Sequence, residues 1–505
     1  MFKGHPKGLI AASLANMGER FGFYTMMAIL SLFLMSKFGL DETGSGWIYA
    51  TFYFSIYAMA FFGGLIADKT RNYKGTILMG LVLMSVGYLI LSIPIEVSAS
   101  NKVLLITLTC FALFVISFGN GLFKGNLQAL VGQMYDNEKY SKLRDSGFSL
   151  FYMFINIGAI FAPFIAPAVR NWWLGRFGFT YEANLPALCH QYIAKGTSME
   201  EQPLALFQKL ATNVNGSVLP DNLTEFSTKY LDVFNTGFHY SFAIAIFAML
   251  ISMAVYIVNK KGFPNPADKQ LGSNSSKAEM PLAEVRQRIY ALLAVFGVVI
   301  FFWFSFHQNG LTLTFFAKDY TLLKLWGMEI TAEMFQSVNP FFVVFLTPIV
   351  MAFFGWMRSK GKEPSTPGKI AIGMGIAASA YVLMSVMSLG LPNLDAVREM
   401  GELPIEQKVT PFLLIGTYLI LTIAELFISP LGISFVSKVA PPKLQGLMQG
   451  LWLLATGLGN QLLIIGAIFY KSIPIWATWS VFVGACIISM FMMLFMLKWL
   501  ERVSK

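Results

Sequence analysis

Apolar residues in this chain come in long blocks parted by short polar stretches. At a helical rise of ~1.5 Å per residue, blocks of about twenty residues are long enough to cross a bilayer. The pattern predicts helices near residues 8–36, 45–67, 75–95, 103–133, 146–168, 239–258, 287–316, 332–357, 369–390, 409–437, 444–470 and 474–499, about twelve spans. Basic residues fall on alternate connections: Lys3 and Lys7; Lys69, Arg71 and Lys74; Lys139, Lys142 and Arg144; Lys260, Lys261, Arg286 and Arg288; Arg358, Lys360, Lys362 and Lys369; Lys438 and Lys443; Lys498 and Arg502. By the positive-inside rule both termini are expected in the cytoplasm, and the expected location is a plasma or inner membrane crossed many times.

Two segments interrupt the rhythm. Residues 259–285 are polar and rich in Lys, Pro and Ser, and read as a cytoplasmic linker between two six-helix bundles, 1–258 and 286–505. Residues 170–237 fall on the opposite side and carry amphipathic stretches, Leu204, Phe207 and Leu210, then Leu223, Phe226, Tyr230 and Val233, which predict a small helical cap. The expected fold class is therefore an all-α membrane protein, with two six-helix bundles around a midplane site in the two-lobed manner of alternating-access transporters.

Composition agrees: of 505 residues 56% are hydrophobic and 13% charged, with a mean hydropathy of +0.61, too apolar for a soluble domain. The formal charge of +10 is spread over the loops and forms no basic stripe, so no nucleic-acid partner is expected. Cys110, Cys189 and Cys486 lack metal-ligand spacing. The N-terminal run is too long for a signal peptide, holds Glu19 and Arg20 near its middle, and reads as the first helix.

Charges inside spans are costly and mark function. Helical spacing puts Asn16, Glu19, Arg20, Phe23, Tyr24 and Met27 on one broad face of the first helix, expected to look into a polar pocket. Lys124, His307 and Glu425 lie comparably deep, and Asn156 and Asn339 add neutral hydrogen-bonding groups. In GGLIADKTRNYKG, residues 63–75, glycines permit close packing while Asp68, Lys69 and Arg71 are expected to latch the loop to the third helix; the stretch resembles the helix 2 to 3 signature of the major facilitator superfamily, which implies a fold of the major-facilitator type. No HExxH pair, GxSxG elbow or P-loop occurs, so an enzyme is not expected.

These stretches resemble the proton-dependent oligopeptide transporter family. FYMFINIG, residues 151–158, fits its FYxxINxG signature. GNGLFKGN, residues 119–126, resembles its helix 4 lysine motif, with Gly125 where proline is usual. Phe302-Trp303 through Gln308, Gln336 through Pro340, Glu425 through Pro430 and Gly450-Leu451-Trp452 resemble further stretches. The departures are specific. In the helix 1 motif ExxERFxYYGMRAIL, Asn16 replaces the first glutamate, Phe23 a tyrosine and Met27 the arginine, and His307 stands where the helix 7 acid is usual. The family's outer-gate ion pair joins those last two positions, so it cannot form here.

The resemblance implies import of di- and tripeptides by proton symport, with the proton as coupling ion, no cofactor or metal, and the monomer as functional unit. An extended peptide of this length separates its termini by ~7 to 11 Å. By carry-over, Arg20 and Lys124 face its carboxylate, Glu425, Asn156 and Asn339 its amine, and Tyr24, Tyr57, Trp303 and Trp452 wall the pocket. Proton coupling is expected at Glu19 beside Arg20, at Glu425 facing Lys124, and at His307. The alternative within transport is a facilitator for another small zwitterion or anion, such as nitrate or an amino-acid derivative, weakly coupled or uncoupled.

Overall fold

The computed structural model describes residues 4–40, 42–182, 185–264, 280–310, 312–329, 332–399 and 403–504. Most of the expected linker, residues 265–279, lies outside them. Eleven helices among the described residues are long and apolar enough to cross a membrane. In chain order the helices are α1 Lys7–Phe38, α2 Glu42–Thr70, α3 Tyr73–Ser92, α4 Lys102–Gln133, α5 Arg144–Arg176, α6 Leu185–Lys195, α7 Glu201–Val214 and α8 Leu223–Asn259. There follow α9 Leu282–Phe306, α10 Thr312–Tyr320, α11 Val338–Ser359, α12 Thr366–Met387, α13 Leu394–Glu399, α14 Pro411–Val439, α15 Gln445–Gln461, α16 Leu463–Ser472 and α17 Ile475–Val503.

Three expected elements differ. The helix at 239–258 begins at Leu223, because Asn222 caps it, accepting from the N–H groups of Thr224 and Glu225, and because Phe226, Tyr230, Phe234 and Phe238 form a buried stripe that a hydropathy window over polar neighbours hides. With α5 reaching Arg176, the cap shrinks to α6, α7 and their connections; Tyr192 and Phe207 stack there, centroids 4.9 Å apart. The run 287–316 breaks after Phe306 into a 3₁₀ turn, His307–Gly310, and the short α10. Gln308 staples the break, donating from Nε2 to the Phe304 carbonyl at 3.2 Å and accepting from Thr312 Oγ1 at 2.5 Å. The run 444–470 divides at Leu462 into α15 and α16, each too short to span alone.

Helices α1 to α8 pack mainly on one another, α1 against α5 and α8 and α3 against α4; α9 to α17 do likewise, with α12 against α14 and α17. Contact between the two groups runs through α2 on α15, α4 on α15, and α5 on α11 and α14. The α2–α15 crossing is backbone on backbone: a Cβ on Gly64 would lie 2.2 Å from the Gly446 carbonyl oxygen, so only glycine fits.

At the end bearing the basic loops the groups are clamped. Asp68 does not merely tie its own loop to α3, as its motif suggested. Tyr73 O–H at the start of α3 donates to it, but so do the Gly446 and Leu447 N–H groups of α15, at 3.0 and 2.7 Å. These are orphan donors of a first helical turn, where a carboxylate is favoured. Lys69 and Arg71 are exposed. Nearby, Asp145 on α5 accepts from Lys369 Nζ at 2.9 Å, Thr366 Oγ1 at 3.0 Å and Ser434 Oγ at 2.6 Å, and Arg144 donates to Ser437 Oγ at 2.8 Å.

Candidate functional site

Between the two helix groups lies a cavity of about 540 Å³, within the size range of small-solute sites. From α1 it takes Arg20, Tyr24 and Ala28, positions i, i+4 and i+8, a narrower face than expected. Asn16, Glu19 and Phe23 are buried in packing, and Met27 is half-buried outside the lining. Glu19 is thus a neighbour of the chamber and not part of its wall. It accepts from Arg20 Nε at 2.5 Å, Arg20 Nη2 at 2.6 Å and Asn120 Nδ2 at 2.7 Å. This is a bidentate pair with a third donor, the arrangement that makes a fully buried carboxylate tolerable.

The other walls collect the remaining expected residues. Tyr57 comes from α2 and Lys124 from α4, the Lys124 ammonium lying 5.1 Å from the Tyr57 ring centroid. Asn156 comes from α5, its Nδ2 donating to the Tyr152 carbonyl at 3.1 Å. Trp303 and His307 stand at the end of α9, rings stacked 4.8 Å apart and 15° from parallel. Asn339 comes from α11, Glu425 from α14 and Trp452 from α15. The Trp452 ring fits because position 432 is glycine; a Cβ there would sit 2.1 Å from its Cη2.

Glu425 is oriented by Tyr152, whose O–H donates to Oε1, and by Asn339 Nδ2, which donates to Oε2 at 2.7 Å and to Thr422 Oγ1 at 3.0 Å. The expected pairing of Glu425 with Lys124 is not formed: each lines the cavity, and among the described residues no ion pair joins them. Tyrosine and asparagine satisfy the acid without neutralising it, and an aromatic face shields the lysine. A buried charge without a counter-ion is costly, and a ligand with one charge of each sign removes both costs at once. Further polar atoms on the wall, Trp303 Nε1 and Gln128 Oε1 among them, lack a hydrogen-bond partner among the described residues, which is where a ligand donor or acceptor would be held.

Among the lining residues that were not singled out in the sequence are Tyr152, Tyr53 and Gln128. Two carried a signal. Tyr152 lies four residues before Asn156 inside FYMFINIG, and Gln128 four after Lys124, each on the same helical face as its neighbour.

A many-spanning helical protein with one central chamber lined by unpaired charges of both signs is a multi-pass membrane protein of the major-facilitator type. More particularly, the chain belongs to the POT family, whose model matches residues 74–278 and 272–478. It is 25% identical over 99% of its length to dipeptide and tripeptide permease B of Xenorhabdus bovienii, covering 96% of that protein. With the peptide transporter YePEPT of Yersinia enterocolitica it shares 28% identity over 91% of this chain and 87% of the relative. Its fold superimposes on a crystal structure of a POT peptide transporter in complex with sulfate, with a TM-score of 0.58, 25% identity, and coverage of 100% of this chain and 96% of that one.

Proposed function

We propose that this protein imports di- and tripeptides across a cell membrane by proton symport, as a monomer with cytoplasmic termini and with alternating access between its two six-helix bundles. The observation that carries the reading is the pair of unneutralised charges, Lys124 and Glu425, on the wall of one peptide-sized chamber. Lys124 and Arg20 receive the peptide carboxylate, and Glu425, held by Tyr152 and Asn339, receives the ammonium. Side chains rest against Tyr24, Tyr57, Trp303 and Trp452, whose broad faces accept varied shapes. The names of the relatives, a dipeptide and tripeptide permease and a peptide transporter, support the same substrate class.

Coupling follows from the Glu19–Arg20 pair. While Glu19 is ionised it holds two guanidinium nitrogens; once protonated it accepts weakly, and Arg20 turns toward the peptide carboxylate. Glu425 and His307 are the other proton positions. One positive charge moving inward gains ~2.3 kcal/mol per 100 mV, roughly fifty-fold accumulation of a net-neutral peptide. The clamp at the basic-loop end, with Asp68 and Asp145 each joined to the opposite helix group, supports a state closed toward the cytoplasm.

The test is uptake of labelled dialanine into proteoliposomes under separate pH and voltage gradients. Both gradients should drive uptake in the parent protein, and Glu425→Gln should abolish concentrative uptake. Uptake indifferent to both gradients would leave a facilitator in place of a symporter.

A further inference from the structure

A second cavity, of about 300 Å³, lies at the other end of the first helix group, between the end of α1, the 94–102 connection, α6 and the start of α8. It shares no lining residue with the central chamber. At its wall stands Lys37, 6% exposed, on the last turn of α1. Its ammonium meets His239 Nε2 at 2.6 Å, while His239 Nδ1 lies 2.6 Å from the Leu91 carbonyl oxygen. A carbonyl can only accept, so Nδ1 carries a proton; Nε2 then receives from the ammonium, and the imidazole is neutral. Were His239 also charged, two cations would face each other at hydrogen-bond distance. The pair therefore holds one positive charge, and among the described residues no carboxylate forms an ion pair with it.

The mouth of this cavity has the opposite character. Glu96 and Asp232 are exposed on its rim, with Lys102 half-buried beside them. A polyanion would be repelled at the entrance, and a simple cation would meet Lys37 inside. We infer that this cavity is a second ligand site, for a small zwitterion whose anionic group reaches Lys37 while its ammonium stays between Glu96 and Asp232. Ser98, Thr228 and Asn235 also line the cavity. The same charge pattern belongs to a free amino acid and to the phosphoethanolamine head of a lipid. The site does not depend on the transport reading.

Equilibrium binding of labelled alanine to detergent-purified protein tests it, in a Glu425→Gln background that removes the central acid. Saturable binding should remain there and fall roughly tenfold or more when Lys37→Met is added, the scale of one charge-assisted hydrogen bond. Asp232→Asn, a change at an exposed position, should weaken it severalfold and carries the test should Lys37→Met not fold. Displacement by phosphoethanolamine at lower concentration than by glycine assigns the site to a lipid head; the reverse order assigns it to a free amino acid. No saturable alanine binding in the Glu425→Gln background, or binding unchanged by both rim and interior substitutions, overturns the inference.

Discussion

Replacing Asp68 by asparagine removes the charge that holds the first turn of α15 against α2. The carboxylate accepts three donors, Tyr73 O–H and the Gly446 and Leu447 N–H groups. An amide of the same shape keeps one oxygen but turns an NH₂ group toward donors. A hydrogen bond to a charged group is worth ~1.5–3 kcal/mol, and a carboxylate at a helix N-terminus adds ~0.3–1 kcal/mol. Water entering at this half-buried position returns part of that, so we expect a net loss of about 2 kcal/mol from the clamped state, roughly thirty-fold in its ratio to the opened one. An opened population of about 1% would rise to about a quarter. Spin labels at Thr70 and Pro442, both exposed near the clamp, read this by pulsed electron resonance. The parent protein should give one short distance, and Asp68→Asn a second, longer one. An unchanged distribution, or the same change from Lys69→Gln, would refute the reasoning, because the exposed Lys69 makes none of these bonds.

Further outcomes follow from the same geometry. Gly64→Ala places a methyl group against the Gly446 carbonyl, which as backbone cannot step aside; a cost of about 1–3 kcal/mol should lower the melting temperature and lengthen the same label distance. At Glu363, in the loop before α12, burial alone would raise the carboxyl, but hydrogen bonds from Arg358 and Lys369 outweigh it and hold the group below its ordinary 4.5. The stability this contributes is complete above the ordinary value and is lost as pH falls through the lower, folded one. Melting temperatures of the parent and Glu363→Gln should therefore converge on acidification. Trp303→Phe keeps the ring stack on His307 and removes the unpartnered Nε1–H; if a peptide acceptor uses that donor, KM for dialanine should rise about tenfold with little change in kcat.

Much of the fold was legible because a spanning helix announces itself by length and hydropathy alone. What hydropathy cannot register is a break satisfied by side chains. Gln308 bridges the gap after Phe306, and α15 gives way to α16 at Leu462; the polar residues at the two breaks, His307 to Asn309 and Asn460 to Gln461, are too few to part a long apolar run. The start of α8 failed in the other direction, its buried aromatic stripe lying among polar neighbours. Ten residues singled out as pocket groups do line one chamber: Arg20, Tyr24, Tyr57, Lys124, Asn156, Trp303, His307, Asn339, Glu425 and Trp452. Glu19 does not, since a helical face drawn from spacing alone is too broad to separate the wall from the layer behind it. Nor could spacing show whether Lys124 and Glu425 touch, which depends on how two helix groups meet.

The claim on which the rest depends is that Glu425 recognises the ammonium of a peptide. Equilibrium binding of dialanine and N-acetyl-dialanine, to the parent protein and to Glu425→Gln, tests it directly. Blocking the amine should weaken binding to the parent by roughly ten-fold or more, and Glu425→Gln should bind the two compounds about equally. If the parent protein does not distinguish them, or if Glu425→Gln distinguishes them as sharply as the parent does, the ammonium is bound elsewhere and the assignment of the chamber fails.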